Sequence, residues 1–374
     1  MTPLNLPPGR RVVIDAFGES PLEALAAHAR LEEMPAPDVS MLGPRDVLIA
    51  VRSAAVGWVD LLMTSGQYQH MPKPPYCPGL ESAGTIEWLG AEAARAGLAR
   101  GDAVLLDGML TGPRSLGDYQ AYGGYASYAV APIEAVHRIP GKLSFDQACN
   151  LLGNYETAYH CLIARGRLRA GETVLIHGAS GATGLAAVQV AKLLGATVIA
   201  TGRSEEKLAR VKEHGADHLV LSSEPGGAGV RRFRDQVKAL TQGRGVELVY
   251  DAVGGEISLE SLRAVAFGAR YLIVGWAATP FVAQGKGQRG APNANQLPTN
   301  LIMMKGLDVL GCPTVISTVH DPSIRAPRLA QVLQWAAAGD ISPYISHGYP
   351  LEQYQEAMRA RWNGEVVGGC VLHP

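Results

Sequence analysis

Cysteines are few in this chain, and no two of them are close in sequence. The five cysteines include no C-x-x-C pair; they are Cys77, Cys149, Cys161, Cys312 and Cys370. Spacing this wide argues against a disulfide framework and against a cysteine-based zinc cluster. We therefore expect reduced, buried thiols and a cytoplasmic protein.

Long apolar runs and a surplus of either charge are also absent. The opening residues, MTPLNLPPGRRVVI, hold no apolar stretch typical of a signal peptide, and no run of about 20 apolar residues follows. A formal net charge of −1 removes the usual electrostatic argument for nucleic-acid or anionic-membrane partners. What remains, 374 residues of which 47% are hydrophobic, suits two globular domains.

The first 140 residues have the composition of an irregular β-rich domain. Partial alternation of apolar residues predicts a strand over 46–56, and the Pro-rich segment 71–79 cannot form a helix. Shorter runs of strand-forming residues lie at 83–89, 103–106 and 125–130.

From about Ser144 the pattern changes to short apolar strands separated by amphipathic helices. Strands are predicted near 173–177, 197–201, 218–221, 246–251 and 270–275, and helices near 183–194, 204–214, 230–242 and 256–266. This alternation is typical of a parallel, doubly wound sheet. Beyond it we expect a polar loop over 277–299, a strand over 309–315, a helix over 325–338 and β structure over 366–372.

The most informative stretch, residues 173–207, runs from a buried strand through a Gly-rich turn into a helix. Gly181 would allow a pyrophosphate to approach the backbone, and Gly184 would let helix and strand pack closely. Ala179 stands where the strict fingerprint has its first glycine. With Ser180, Ala182 and Thr183, these residues predict a dinucleotide site at a helix N-terminus, against the alternative of a purely structural turn.

The end of the next strand indicates which dinucleotide binds. An acidic residue there would favour NAD, but the chain continues with Gly202, Arg203 and Ser204, and Lys207 follows one turn later. Two charge-assisted hydrogen bonds of about 1.5–3 kcal/mol each would favour the 2′-phosphate of NADPH. Alternatively, both cations are only solvated and Ser204 caps a helix.

The ends of two later strands predict the nicotinamide end of the site. Ligands bind beyond the carboxyl ends of strands in open α/β sheets, which points to Val253, Gly254, Val274 and Gly275. Thr157, ahead of the first strand, is a further candidate. Simple packing is the alternative for each of them.

Motifs along nearly the whole chain resemble the medium-chain dehydrogenase/reductase superfamily, in its quinone oxidoreductase branch. In chain order they are SGQY (65–68), PGLESAG (78–84), GGYASYAVAP (123–132), GASGATG (178–184), YDAVGG (250–255), YLIVGW (271–276), NLIMMKG (300–306) and VLGCPTV (309–315).

The resemblance implies an α/β protein in which a Rossmann domain is inserted into a GroES-like catalytic domain. We expect the GroES-like domain over 1–143 and 321–374 and the doubly wound Rossmann domain over 144–320. The resemblance also implies a homodimer formed through a Rossmann edge strand, here Val309–Val315.

The resemblance further implies that this chain uses no zinc. Gly57 stands where zinc-dependent members have a cysteine ligand, and Leu80 stands where they have a histidine. No cysteine lies between residues 95 and 125, where the structural zinc loop would be. A catalytic zinc needs three protein ligands, so we expect no metal and the reduction of an activated, conjugated acceptor.

Similarity to the quinone reductases and the related 2-enoyl thioester reductases also suggests acceptor-site residues. Tyr68 matches a tyrosine of the nicotinamide pocket, where a phenol stabilises a developing anion or delivers a proton; a surface tyrosine is the alternative. Asp60 matches an aspartate of the same motif, which acts in catalysis or orders the loop.

Two departures from the quinone oxidoreductase pattern predict a roomier and less polar pocket. Gly57 replaces an Asn, and Leu62 replaces a second pocket tyrosine. Trp58 would stack on a planar acceptor or belong to the core.

The leading interpretation is an NADPH-dependent quinone oxidoreductase. The alternatives are an NADPH-dependent enoyl thioester or enone C=C reductase, for which Lys73, Arg114, Lys286 and Arg289 would form a basic rim, and a non-catalytic NADPH-binding protein.

Overall fold

The computed structural model describes residues 6–115, 117–224, 229–278 and 295–374. The strands are β1 (Gly9–Ile14), β2 (Ala29–Met34), β3 (Asp46–Ala55), β4 (Ser82–Leu89), β5 (Ala103–Leu106), β6 (Tyr128–Pro132), β7 (Val136–Arg138), β8 (Thr173–Ile176), β9 (Thr197–Gly202), β10 (His218–Leu221), β11 (Val246–Asp251), β12 (Val265–Ile273), β13 (Asp308–Gly311), β14 (Ile345–Pro350) and β15 (Gly369–His373).

Helices of 4 to 14 residues connect these strands. They are α1 (Pro21–Ala27), α2 (Trp58–Thr64), α3 (Phe145–Ala148), α4 (Leu152–Tyr159), α5 (Ala182–Leu193), α6 (Glu205–Glu213), α7 (Arg234–Leu240), α8 (Glu256–Ala264), α9 (Thr299–Lys305), α10 (Thr314–His320), α11 (Arg325–Ala338) and α12 (Tyr354–Trp362). A π-helical segment, His160–Arg165, continues α4. Within the described ranges, no helix has the length and apolarity needed to cross a membrane.

The first unit comprises residues 6–152 and 345–374 and is built on β structure. Its larger sheet has the order β14-β15-β3-β4-β5-β7, with β6 also paired to β3, and β1 pairs with β2 in a separate ladder. Both faces of β3 are buried: Val47 and Ile49 join the main core, while Leu48 packs against Tyr128 and Val130. This explains why its apolar residues alternate only in part.

The second unit comprises residues 153–278 and 295–344 and is built on a parallel sheet. The strand order is β10-β9-β8-β11-β12-β13, and every neighbouring pair is parallel. The connections reverse direction between β8 and β11, which is where a doubly wound sheet binds its ligand. The predicted class, a β-rich domain combined with a Rossmann sheet, is confirmed.

The unit boundaries differ from those expected from the sequence. The structure divides the chain after Leu152 and before Ile345, instead of after residues 143 and 320. The later boundary follows from α11, whose Arg325 and Arg328 form ion pairs with Glu156 of α4 at 2.9 and 2.8 Å. These contacts hold residues that the sequence assigned to the catalytic domain within the second unit.

Most predicted elements are present, but several have other bounds than expected. The strand expected over 309–315 ends at Gly311, because Pro313 has no N–H for the ladder and α10 begins at Thr314. The strand expected over 125–130 begins at Tyr128, and β12 begins at Val265, earlier than predicted. Most of the loop predicted over 277–299, including Lys286 and Arg289, lies outside the described residues.

Candidate functional site

The Gly-rich turn of the second unit lies between the end of β8 and the start of α5. Gly178 has a φ of 65°, so it provides the left-handed residue that the tight turn requires. The turn therefore does not need a glycine at position 179. Ala179 is buried next to Gly178 and donates its N–H to Thr201 O at 3.2 Å. Gly181 closes the turn by donating to Gly178 O at 3.0 Å.

Gly184 and Gly181 have different structural roles in this turn. A Cβ on Gly184 would lie 2.2 Å from Gly178 O and 2.8 Å from Ala179 Cα, so only glycine lets the helix approach the turn. A Cβ on Gly181 would meet only Gly178 O, at 3.4 Å, so its outer side is open. No side chain caps the N-terminus of α5. This leaves its backbone N–H groups available to an anion.

Two threonine hydroxyl groups near this turn donate hydrogen bonds within the second unit. Thr183 donates to Asn154 Oδ1 at 2.9 Å, and Thr157 donates to Gly153 O at 2.7 Å. Ser180, Ala182 and Thr183 are half-buried around the turn. Thr183 therefore joins the start of α5 to the start of α4, whereas the hydrogen bond of Thr157 stays within α4.

The end of β9 carries the residues predicted to select the dinucleotide. Gly202 ends the strand, and Ser204 caps α6 by accepting the Lys207 N–H at 3.4 Å. Arg203 is exposed, and its guanidinium has no ion pair or hydrogen bond within the described part of the chain. Ser204 therefore caps the helix as predicted, and the Arg203 guanidinium is available to bind an anion.

Asp251 connects the two turns expected at the nicotinamide end, a role that the sequence analysis missed. Its Oδ1 accepts the N–H groups of Val253 and Gly254, both at 2.9 Å. Its backbone carbonyl accepts those of Val274 and Gly275 at 2.8 and 3.2 Å. An acidic residue at the carboxyl end of the mostly apolar β11 was the signal in the sequence.

His177 is a second missed residue, at the carboxyl end of β8. It is fully buried, with Nδ1 at 2.7 Å from Thr201 Oγ1 and Nε2 at 2.7 Å from Ser261 Oγ. Because Ser261 already donates its proton to Ile257 O, it must accept from Nε2, which assigns the proton of the neutral ring to that nitrogen. Burial lowers the pKa of His177 to about 4. The ring thus links β9 to α8 beneath the turn.

In the first unit, Asp60 orders the loops around α2. Its Oδ2 accepts from Gly57 N at 2.9 Å, and its Oδ1 accepts from Gly79 N and Leu80 N at 3.2 and 3.0 Å. Burial raises the pKa of Asp60 to about 6, while these hydrogen bonds lower it. The geometry favours the loop-ordering role over the catalytic one.

Tyr68 lies half-buried against an apolar cluster that includes Met63, Tyr76 and Leu80. Its ring meets His70 edge-on, with centroids 6.4 Å apart. His70 Nε2 and Gln67 Oε1 are buried and find no hydrogen-bond partner among the described residues. The sequence analysis did not predict these two residues. They place two buried polar atoms without a hydrogen-bond partner among the described residues, Gln67 Oε1 and His70 Nε2, in and next to the SGQY motif.

Trp58 stacks on another tryptophan of the first unit. Its ring lies 5.1 Å from that of Trp362, at an interplanar angle of 4°, so one face is already covered. This contact favours the core alternative for Trp58, while Leu62 is half-buried on the same helix.

The side chains of Gly57 and Leu80 have no atom that could bind a metal ion. Among the residues the structure describes, no group of three or more His, Cys, Asp or Glu side chains could hold one.

The fold and these sites define a two-unit oxidoreductase with a GroES-like and a Rossmann unit. Two family models match the chain: "Alcohol dehydrogenase GroES-like domain" over residues 43–141 and "Zinc-binding dehydrogenase" over residues 182–325. The chain belongs to the medium-chain dehydrogenase/reductase superfamily, among relatives named quinone oxidoreductase, which confirms the resemblance seen in the sequence.

Two curated relatives and one solved structure illustrate the similarity. Human quinone oxidoreductase is 30% identical over 337 residues, covering 90% of this chain and 91% of that protein. The quinone oxidoreductase-like protein 2 homolog of Nematostella vectensis is 31% identical over 89% of this chain and 82% of its own length. The Escherichia coli quinone oxidoreductase complexed with NADPH has a TM-score of 0.76 at 21% identity, covering 98% of this chain and 100% of that one.

Proposed function

We propose that this protein is an NADPH-dependent, zinc-independent quinone oxidoreductase, which reduces a quinone or a similar conjugated acceptor. The observation that carries the proposal is the turn between β8 and α5. Gly184 brings an uncapped helix N-terminus against the turn, while Gly181 leaves the outer side open. This combination suits a pyrophosphate that is bound by backbone N–H groups.

The residues of the second unit fit a dinucleotide along its length. The turn at residues 178–184 would hold the pyrophosphate, and the turns organised by Asp251 would line the nicotinamide end. When bound there, NADPH supplies the hydride. The protein's contribution is to hold these backbone segments in place before the cofactor arrives.

The surroundings of Arg203 favour binding of NADPH over binding of NADH. Its exposed guanidinium has no anionic partner within the described residues, and no acidic residue ends β9 to repel a phosphate. A charge-assisted hydrogen bond contributes about 1.5–3 kcal/mol. We therefore propose that Arg203 contacts the 2′-phosphate, with Lys207 and the capped start of α6 beside it.

Replacing Arg203 by alanine is expected to raise the KM for NADPH by about ten- to a hundredfold and to leave the KM for NADH nearly unchanged. Steady-state kinetics with both cofactors would measure this difference. Arg169→Ala is the matched control, because Arg169 is an exposed arginine just before the opposite, amino end of β8. Equal changes for both cofactors would contradict the assignment.

Tyr68 is the proposed contact to the acceptor. Its hydroxyl makes no hydrogen bond to the described residues, so it is available to donate to an acceptor oxygen and stabilise the developing anion. Asp60 acts as a positioning residue by holding the loops on either side of α2. Zinc has no part in this proposal, because Gly57 and Leu80 cannot provide ligands.

The proposal is tested by measuring NADPH consumption with a small quinone and a 2-enoyl-CoA side by side. Faster turnover of the quinone is expected, with kcat about tenfold lower for Tyr68→Phe because one neutral hydrogen bond is lost. Tyr349→Phe, on β14 of the same unit, is the control for a half-buried phenol.

The other results of this assay would change the assignment. Faster turnover of the enoyl thioester would identify a C=C reductase, in which Tyr68 stabilises an enolate. NADPH binding without turnover of either compound would identify a non-catalytic NADPH-binding protein.

We also propose a homodimer formed through β13. This strand is the edge of the parallel sheet, and it pairs only with β12 among the described strands. Near it, Phe267, Met303 and Met304 are 84%, 73% and 66% exposed. A monomeric mass in sedimentation equilibrium would contradict this proposal.

The cytoplasmic location stays a prediction from the sequence, which cell fractionation would test.

A further inference from the structure

One short segment of the first unit carries three buried polar atoms that have no hydrogen-bond partner among the described residues. They are Gln67 Oε1, His70 Nε2 and the Tyr76 hydroxyl. A polar atom that is shielded from water and left unpaired costs free energy, so native structures hold few of them. Three in one segment favour a ligand that supplies the missing partners.

The segment is anchored at both ends. At its start, the Gln67 N–H donates to Leu62 O of α2 at 3.0 Å. At its end, Tyr76 exchanges two backbone hydrogen bonds with Ile14 of β1, at 2.9 and 3.1 Å. The helix and the strand therefore fix the path of the chain that carries His70.

His70 lies beside Tyr68, the proposed contact to the acceptor. The two rings meet edge-on, with their centroids 6.4 Å apart. Tyr68 itself packs against the apolar cluster that includes Met63, Tyr76 and Leu80. An acceptor that is held by the Tyr68 hydroxyl would therefore have an imidazole as its polar neighbour.

Of the three unpaired atoms, only His70 Nε2 suits proton transfer. Ser65 Oγ donates to Leu62 O at 3.3 Å, so it accepts from Gln67 Nε2 at 2.9 Å, which leaves the amide oxygen of Gln67 unpaired. That oxygen has no proton to give. Burial raises the pKa of Tyr76 well above its ordinary value, so the Tyr76 phenol keeps its proton. Imidazole is the side chain that gains and loses a proton near neutral pH.

We propose that His70 is a catalytic residue that protonates the reduced acceptor through Nε2. The inference rests on the proposed quinone reduction and deepens it. Hydride transfer gives the quinone two electrons and one proton, which leaves a hydroquinone anion. The imidazolium form of His70 then loses its Nε2 proton, an O–H bond forms on the anion, and the neutral ring takes a proton from the solvent. Overall, one quinone, one NADPH and one proton give hydroquinone and NADP⁺.

The surroundings of Nε2 suit this role. The His70 side chain is half-buried as a whole, but Nε2 is shielded from water. A hydrogen bond from such a donor to an anion is stronger than one in bulk water. Tyr68 would hold the acceptor oxygen by a hydrogen bond and keep its own proton, so the two side chains would have separate tasks.

The first test measures steady-state NADPH oxidation by His70→Ala with phenanthrenequinone. We expect kcat to fall about a hundredfold, because a positioned acid is lost, and the KM for NADPH to stay nearly unchanged. Added imidazole should restore kcat by at least about tenfold, since it can enter the space left by the side chain and supply the proton. His347→Ala is the matched control, because His347 is a half-buried histidine on β14 of the same unit. It should keep kcat and show no response to imidazole.

His70→Gln separates proton transfer from hydrogen bonding. Its amide can donate a hydrogen bond to the acceptor but cannot release a proton. The KM for the quinone should therefore stay close to that of the unaltered protein, while kcat falls to the level of His70→Ala. The solvent deuterium isotope effect on kcat should rise in both variants, because the proton then comes from water. Thermal unfolding of each variant checks that it is folded.

The outcomes separate this inference from the proposed function. If the unaltered protein oxidises NADPH with the quinone and folded His70→Gln keeps its kcat, His70 does not transfer the proton. A low kcat in His70→Ala without rescue by imidazole, together with an unchanged solvent isotope effect, would show a structural role and overturn the inference. No turnover of any quinone by the unaltered protein would overturn the proposed function, and this inference with it.

Discussion

Replacing Gly184 by alanine is expected to lower the free energy of unfolding of the second unit by about 3 kcal/mol and to abolish NADPH oxidation. The added Cβ would lie 2.2 Å from Gly178 O, and that carbonyl belongs to the turn itself. Alanine favours a helix by about 1 kcal/mol over glycine, so the clash must outweigh that gain. Chemical denaturation and the NADPH assay measure the two effects.

Gly181→Ala is the matched control for this substitution. Its Cβ would meet only Gly178 O, at 3.4 Å, and the backbone φ of −74° suits any residue. We expect stability close to that of the unaltered protein, together with weaker NADPH binding, because the methyl group enters the open side of the turn. A Gly184→Ala protein as stable as Gly181→Ala would refute the packing role of Gly184.

Acid is expected to destabilise the second unit through His177. Burial lowers the folded-state pKa to about 4, below the ordinary value of 6.5. The unfolded chain therefore binds the proton first, so the stabilising contribution is complete above pH 6.5 and is lost as the pH falls to about 4. A difference of about 2.5 pKa units corresponds to about 3 kcal/mol.

His177→Gln tests this pH dependence. Glutamine does not titrate, so the free energy of unfolding of the variant should fall by about 3 kcal/mol less than that of the unaltered protein between pH 6.5 and 4. His320→Gln is the control, because His320 is exposed on α10 and its removal should leave the pH profile as it was. Parallel pH profiles for His177→Gln and the unaltered protein would show that the buried ring does not control acid stability.

The positions of glycines and of apolar runs allowed much of the second unit to be predicted. Strands β10 and β11 lie where the pattern put them. Five of the six residues of β11 are buried, and a strand covered on both faces is a short, mostly apolar run. The turn around Gly181 was found for the same kind of reason, because its requirement is local. By contrast, the strand end at Gly311 was misjudged although Pro313 marked it.

The residues proposed for the acceptor site in the first unit show where local patterns stop being sufficient. The resemblance to the quinone reductases predicts Tyr68 and Asp60, but its motif carries no information on what each side chain contacts. Asp60 holds backbone N–H groups of two separate segments, around Gly57 and Gly79. Gln67 and His70 received no prediction, because the lack of a partner for a buried polar atom is a property of the packed structure.

The sequence alone determines the fold class and the Gly-rich turn, because each depends on residue type and short-range spacing. The resemblance to the superfamily adds that Gly57 and Leu80 stand where zinc-dependent members have ligands. Only the tertiary structure decides that Asp251 joins two turns and that His177 is neutral between β9 and α8. The contacts of Asp251 with Val274 and of His177 with Ser261 join residues far apart in the chain. Sheet register and helix packing determine such contacts, and no local pattern in the sequence records them.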